Sequence, residues 1–174
     1  ETFDIHGGGM DLVFPHHENE IAQSEAATGK PFVKYWLHNG LTRVNTKKMS
    51  KSLGNIRQID DLLQEYGGEV VRFFILSTHY RRPIDFSDEE IRKVERGLQT
   101  FYRLFERCEH ILGRSAYDLP RYPENAAGVS EAAADMASEL DAAGVAFREA
   151  MDDDFNTAAA IAQLYEMANS VNRY

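Results

Sequence analysis

Two lysines three residues apart, Lys48 and Lys51, alternate with the hydroxyl residues Ser50 and Ser52 and are followed by Gly54. They sit in a stretch, residues 41–57, that holds five basic residues and no acidic one, inside a chain of 174 residues with a net charge of −9. Ammonium groups and hydroxyl donors on a loop able to move suit closure over the phosphates of an anionic ligand. A lysine-rich segment can equally be a solvated basic turn, a common surface feature.

A second pair has metal chemistry within reach. His16 and Glu20 are four apart in a predicted helix, so their side chains share a face and can chelate one cation or form a surface hydrogen bond. Two donors are only half of an ordinary zinc set. His6 stands before Gly7, Gly8 and Gly9 at the predicted end of a strand, where glycines permit a ligand to approach the backbone. It is a candidate for a substrate pocket or a histidine at a core edge. Asp11 offers a carboxylate for hydroxyl groups, or a cap for the turn that follows.

The elements that must position these groups follow a strand, helix, strand order. Residues 3–5 read as a strand. Pro15 suits the first turn of a helix running to about residue 27, with Gly29 as its stop. Residues 35–37 read as a strand and 41–44 as an extended entry to the basic loop. That order suits part of a parallel α/β sheet, whose ligands gather at the carboxyl ends of strands.

Beyond the loop the pattern turns helical. Asp60 or Asp61 can cap a short helix stopped by Gly67 and Gly68. Residues 70–76 are apolar on most faces and predict a buried helix, with a strand as the alternative. Ser87 and Glu90 have capping-box spacing. From there Ile91, Val94, Leu98, Phe101, Phe105, Cys108 and Leu112 form the stripe of a long amphipathic helix. Residues 113–128, with Pro120 and Pro123, predict a loop. Two further helices carry Ala133, Met136, Leu140 and Phe147, then Ala158, Ile161, Leu164, Tyr165, Ala168 and Val171. An antiparallel helical bundle is the economical fold here. Asp152, Asp153 and Asp154 read as charges at a helix start and lack the spacing of a calcium loop.

Composition sets bounds. One cysteine, Cys108, excludes an internal disulfide framework and a cysteine-rich zinc site built from this chain. No apolar run reaches the roughly 20 residues of a membrane span, which predicts a cytoplasmic protein without a membrane partner. Residues 1–87 hold ten basic and eleven acidic side chains, residues 88–174 nine and seventeen. The first half is therefore the better match for a polyanion. Arg43, Lys47, Arg57, Arg72, Arg81 and Arg82 are placed to meet backbone phosphates, with Tyr102, Tyr117 and Tyr122 as stacking candidates or ordinary tyrosines. The opening residues read like a strand entering a sheet, so the chain is expected to be a fragment.

The runs His6-Gly7-Gly8-Gly9-Met10-Asp11, Phe14-Pro15-His16-His17-Glu18-Asn19-Glu20, Lys48-Met49-Ser50-Lys51-Ser52 and Met151-Asp152-Asp153-Asp154-Phe155-Asn156-Thr157 together resemble the cysteinyl-tRNA synthetase family of class I aminoacyl-tRNA synthetases. The resemblance covers essentially the whole chain. It implies that residues 1–57 are the second half of a Rossmann-like catalytic domain, 58–86 connective helices against the tRNA stem, and 87–174 a helical bundle of the anticodon-binding type. It implies that His16 and Glu20 are two ligands of a zinc ion whose two cysteine ligands lie outside this sequence, with His17 and Glu18 in support. His6 then lies in the cysteine pocket, and Gly9 and Asp11 lie near ATP. Lys51, assisted by Lys48, would neutralise charge on the reacting phosphate, with Ser50 and Ser52 as donors. The implied substrates are L-cysteine, ATP with Mg2+, and cysteine tRNA, and the implied state is a monomer.

Two other readings compete. A mycothiol-pathway ligase that activates cysteine shares several of these motifs, and a synthetase-derived RNA-binding or interaction module would need no catalysis. On its own the fragment is expected to be inactive, because the implied HIGH-type ATP motif and both zinc cysteines are missing.

Overall fold

The computed structural model describes residues 2–44, 47–50, 52, 54–119 and 130–174, with the backbone alone of Lys47 and Lys48. Lys51, Pro120, Tyr122 and Pro123 lie outside the described residues. Strand β1 (Phe3–Gly9) does not end at residue 5. It continues through His6 and the three glycines, because each pairs in parallel with β2 (Val33–Asn39). His6 faces Trp36 and Gly8 faces His38 across this pair. Helix α1 (Glu18–Thr28) makes the crossover and stops at Gly29, which is left-handed with φ 64°. The expected parallel strand, helix, strand unit is therefore present.

One boundary differs in a way that matters for the site. A tight turn at Met10–Leu12 and a wide, irregular turn at Val13–His17 precede α1, with a cis Phe14–Pro15 bond and an extended Phe14. Pro15 therefore does not begin the helix. His16 lies in the turn and Glu20 in the helix, not both on one helix.

After Gly40 the chain forms a small second sheet. Strand β3 (Thr42–Val44) lies between the antiparallel β4 (Lys47–Lys48) and the parallel β5 (Ile84–Asp85). Helix α2 (Ile59–Tyr66) is preceded by Gln58 without a side-chain cap, so Asp60 and Asp61 do not cap it. They occupy its first turn, where carboxylates complement the helix dipole. Gly67 ends α2 with φ 79°, and Gly68 already begins α3 (Gly68–Leu76), a helix and not a strand.

The main core is assembled by α2, α3 and α4 (Asp88–Leu112). Leu62, Tyr66, Val70, Val71, Phe74, Ile91 and Leu98 are buried together, and Phe73, Ile84, Phe86 and Phe101 pack on them. The Ser87 hydroxyl accepts the Glu90 N–H at 3.4 Å, as the capping-box spacing predicts, and Gly113 stops α4 in the left-handed region. The apolar stripe of α4 is only partly covered, since Phe105, Ile111 and Leu112 remain exposed. Helices α5 (Glu131–Asp152) and α6 (Thr157–Arg173) run antiparallel. Near the open end of this pair, Glu139 of α5 accepts from Ser170 at 2.5 Å and from Arg173 at 2.8 Å on α6. Phe101 and Tyr165, with ring centroids 4.8 Å apart, join α4 to α6.

Candidate active site

On one face of the β1–β2 pair the side chains alternate, so His6, Trp36 and His38 point the same way as the vacant position at Gly8. A Cβ at Gly8 would lie 2.9 Å from the ring of His17. Glycine is needed there because the imidazole of His17 occupies the space a side chain would take. His17 is buried, with 3% exposure, and its Nδ1 lies 2.9 Å from Nε2 of His38. Trp36 stacks on His38 and packs against both His6 and His17.

Glu20 reaches this cluster from the first turn of α1. Its Oε2 lies 2.9 Å from His6 Nε2, and its Oε1 lies 3.6 Å from His16 Nε2. The carboxylate thus stands between two histidines, one oxygen toward each. Among the described residues, His6, His17 and Glu20 form a set of three whose ligand atoms lie within 4.8 Å of one another, close enough to share a metal ion. The pair foreseen from sequence, His16 and Glu20, is also brought together. A tetrahedral zinc bound by one nitrogen and one oxygen at roughly 2.1 Å holds them about 3.4 Å apart. The 3.6 Å separation of His16 and Glu20 fits such a chelate, whereas the 2.9 Å contact of His6 with Glu20 is hydrogen-bond length.

Burial lowers the pKa of His17, and the neighbouring His38, His6 and His16 act the same way while Glu20 opposes them. The imidazole beneath Gly8 is therefore biased toward its neutral form, able to accept at one nitrogen and donate at the other.

Asp11 lies in the turn after β1, and its carboxylate fills the space that a side chain on Gly9 would need. The two residues assigned to nucleotide contact are thus adjacent. In the basic loop, the Met49 N–H donates to Thr42 O at 3.1 Å, and the Ser50 N–H donates to Asn55 Oδ1 at 2.9 Å. The hydroxyls of Ser50 and Ser52 are 3.2 Å apart. Lys51, the principal phosphate candidate, lies outside the described residues, and of Lys48 the backbone in β4 is described.

Two of the arginines offered for phosphates are engaged elsewhere. Arg57 donates to Asp88 and, at 3.0 Å, to Glu65, while the Tyr66 hydroxyl also donates to Asp88 at 2.9 Å. Burial, with the carboxylates of Glu65 and Asp88 beside it, pushes the Tyr66 pKa up to about 12. Arg81 is held by Asp154. Both guanidiniums serve internal ion pairs.

Sequence reasoning missed His38 and Trp36 and gave His17 only a supporting place on a helix. The available signal was the Trp-x-His spacing of β2 set against His-x-Gly of β1, which places four positions on one face once the strands are paired.

The family of tRNA synthetases class I (C) catalytic domains matches residues 1–96, and the DALR domain matches residues 146–174. The cysteine--tRNA ligase of Geotalea daltonii is 52% identical over 172 residues, covering 99% of this chain and 35% of that protein. That of Syntrophotalea carbinolica is 56% identical over 173 residues, covering 99% of this chain and 33% of that protein. The chain spans about a third of the length of these curated relatives. Among solved structures, LeuRS of Agrobacterium radiobacter, in a ternary complex with tRNA and LeuAMS, has a TM-score of 0.74 at 25% identity. It matches 98% of this chain and 23% of that chain. Methionyl-tRNA synthetase of Mycobacterium tuberculosis, in complex with methionyl-adenylate, shares the fold, with a TM-score of 0.77 at 21% identity over 98% of this chain and 33% of that chain. No described helix is long and apolar enough to cross a membrane.

Proposed function

Because this chain belongs to the family of class I (C) tRNA synthetase catalytic domains, we propose that it is part of a cytoplasmic ligase that joins L-cysteine to its tRNA using ATP. The observation that carries this reading is the His16–Glu20 pair, 3.6 Å apart and adjoining His6. The name borne by relatives more than half identical to the chain supports cysteine as the amino acid.

His16 and Glu20 would hold a zinc ion together with donors from outside these residues. Bound there, zinc supplies a Lewis acid that favours a soft thiolate over the harder, far less acidic hydroxyl of serine. A site that rewards one substrate group in this way rejects the analogue without editing. His6 lines the amino-acid pocket, and its bond to Glu20 fixes the orientation of both side chains. His17 packs edge-on against the His6 ring and is itself held by His38.

Gly9 and Asp11 belong to the nucleotide side, where glycine allows close approach and the carboxylate can take ribose hydroxyls. In activation the carboxylate of cysteine attacks the α-phosphate of ATP, the bond to pyrophosphate breaks, and cysteinyl-adenylate forms. Lys51 neutralises charge growing on that phosphate and on the leaving group, assisted by Lys48, with Ser50 and Ser52 as donors. Residues 87–174 would serve the tRNA side, consistent with the DALR match to their last part.

The test is loading of transcribed cysteine tRNA by the full-length enzyme, run beside transfer of cysteine to a glucosaminyl inositol. Cysteine-dependent charging of the tRNA alone is the expected result. Transfer to the amino sugar alone would assign the mycothiol-type reaction instead, and neither product would remove the catalytic reading.

A further inference from the structure

The segment Asp152-Asp153-Asp154-Phe155-Asn156-Thr157 is not a helix start. Asp152 ends α5, and Asn156 caps α6 by accepting the Ala159 N–H at 3.2 Å. Between them Asp154 and Phe155 both take left-handed backbone, with φ 54° and 53°. Residues other than glycine hold that conformation when their surroundings impose it.

The surroundings here belong to another part of the chain. The carboxylate of Asp154 accepts from the Tyr80 hydroxyl at 2.6 Å, from Arg81 Nη2 at 3.0 Å and from Arg81 Nε, and His79 Nε2 lies 3.8 Å away. Residues 79–82 form the turn after α3, and this turn is itself fastened to the end of the first sheet. The Gly40 N–H donates to Tyr80 O at 2.7 Å, and a Cβ on Gly40 would run into the backbone of Arg82. Gly40 follows β2 directly, two residues after His38. Phe155 and Thr157 also line a cleft of about 470 Å³, whose other walls include Leu37, Asn39 and Gly40. The α5–α6 connection and the end of the sheet thus meet across a single turn.

We propose that Asp154 is a positioning residue: it clamps the α5–α6 hairpin to the turn after α3 and, through that turn, to Gly40 at the end of β2. On the synthetase reading above, on which the functional half of this inference rests, the clamp fixes the tRNA-side helices relative to the catalytic sheet. It acts on transfer to tRNA and not on adenylate formation. Misplacing a macromolecular acceptor by a small distance costs rate at the transfer step while leaving the small-substrate chemistry in place.

The experiment compares Asp154→Ala, Asp154→Asn and Arg81→Ala with the unaltered full-length protein. In hydrogen exchange, peptides spanning residues 37–42 and 153–160 should both exchange at least about threefold faster in Asp154→Ala, with the α2–α3 core unchanged. The kcat/KM for tRNA charging should fall at least about tenfold, while cysteine-dependent ATP–pyrophosphate exchange stays within about threefold. The Asp154→Ala, Arg81→Ala double variant should be no worse than either single one.

Unchanged exchange at 37–42, additive effects, or equal loss of both activities would overturn the proposal. Asp154→Asn keeps the shape of the side chain and decides the matter if the alanine variant does not fold. If the unaltered protein charges no tRNA, the synthetase reading fails, and hydrogen exchange still decides the clamp.

Discussion

Nδ1 of His17 lies 2.9 Å from Nε2 of His38, which joins the irregular turn before α1 to the end of β2. His17 is the buried member of this pair and touches the rings of His6, His16 and Trp36 as well. Replacing His38 by alanine leaves a buried nitrogen without that partner, a loss of about 1–3 kcal/mol. We expect His38→Ala to lower the thermal midpoint and His38→Gln, which keeps a hydrogen-bonding side chain, to restore part of it. Equal midpoints for all three proteins would show that the contact carries no stability.

Lys51→Ala in the full-length enzyme should slow cysteinyl-adenylate formation at least tenfold, about 1.4 kcal/mol in the transition state, with a smaller effect on cysteine affinity. Rapid-mixing measurement of the adenylate step checks this. An unchanged rate would remove Lys51 from the reacting phosphate.

His16→Ala and Glu20→Gln should each reduce the zinc content of the purified full-length protein, because each removes or weakens one ligand of a small set. Metal analysis by mass spectrometry reads the result without any assay of activity. The Glu20→Gln change also alters the partner of His6 at 2.9 Å, so it should disturb the pocket more than His16→Ala does. Full zinc occupancy in both variants would place the metal elsewhere.

Asp154 titrates at about 2, held down first by hydrogen bonding from Arg81 and then from the Tyr80 hydroxyl. A carboxylate lowered on folding adds stability that is complete above its unfolded value of about 4 and disappears as pH falls through the folded value. Asp88, lowered chiefly by Arg57, acts with the same sign. Asp154→Asn should therefore flatten the loss of stability between about pH 4 and pH 2. Denaturant midpoints across that range provide the measurement, and an unaltered slope would contradict the assignment.

Much of the framework was legible because local chemistry settles it. Ser87 and Glu90 announce α4, Gly29 stops α1, the loop predicted from residue 113 starts where α4 ends, and the strand, helix, strand order predicts the parallel pairing of β1 with β2. His16 and Glu20 were legible as a pair because four-residue spacing survives the change from helix to irregular turn. His17 was not, since its position depends on an absent side chain at Gly8, nine residues earlier and on another element. The role of Asp154 was hidden for a related reason. Its charge is visible in the sequence, but its left-handed backbone and its partners at Tyr80 and Arg81 arise only in the folded chain. On α4 the opposite error occurs: periodicity marks Phe105 and Leu112 as apolar-face residues, yet no described neighbour buries them.

The imidazole seated against Gly8 ties two positions into one volume constraint. Adding even a methyl group at position 8 brings it to 2.9 Å from the His17 ring, so the ring must move or the strand must bend. Variation at these two positions should therefore be paired: a larger residue at 8 is tolerable only beside a smaller one at 17. A library randomised at both sites and selected for function would reveal that constraint as correlated sizes, even though neither residue need touch a substrate.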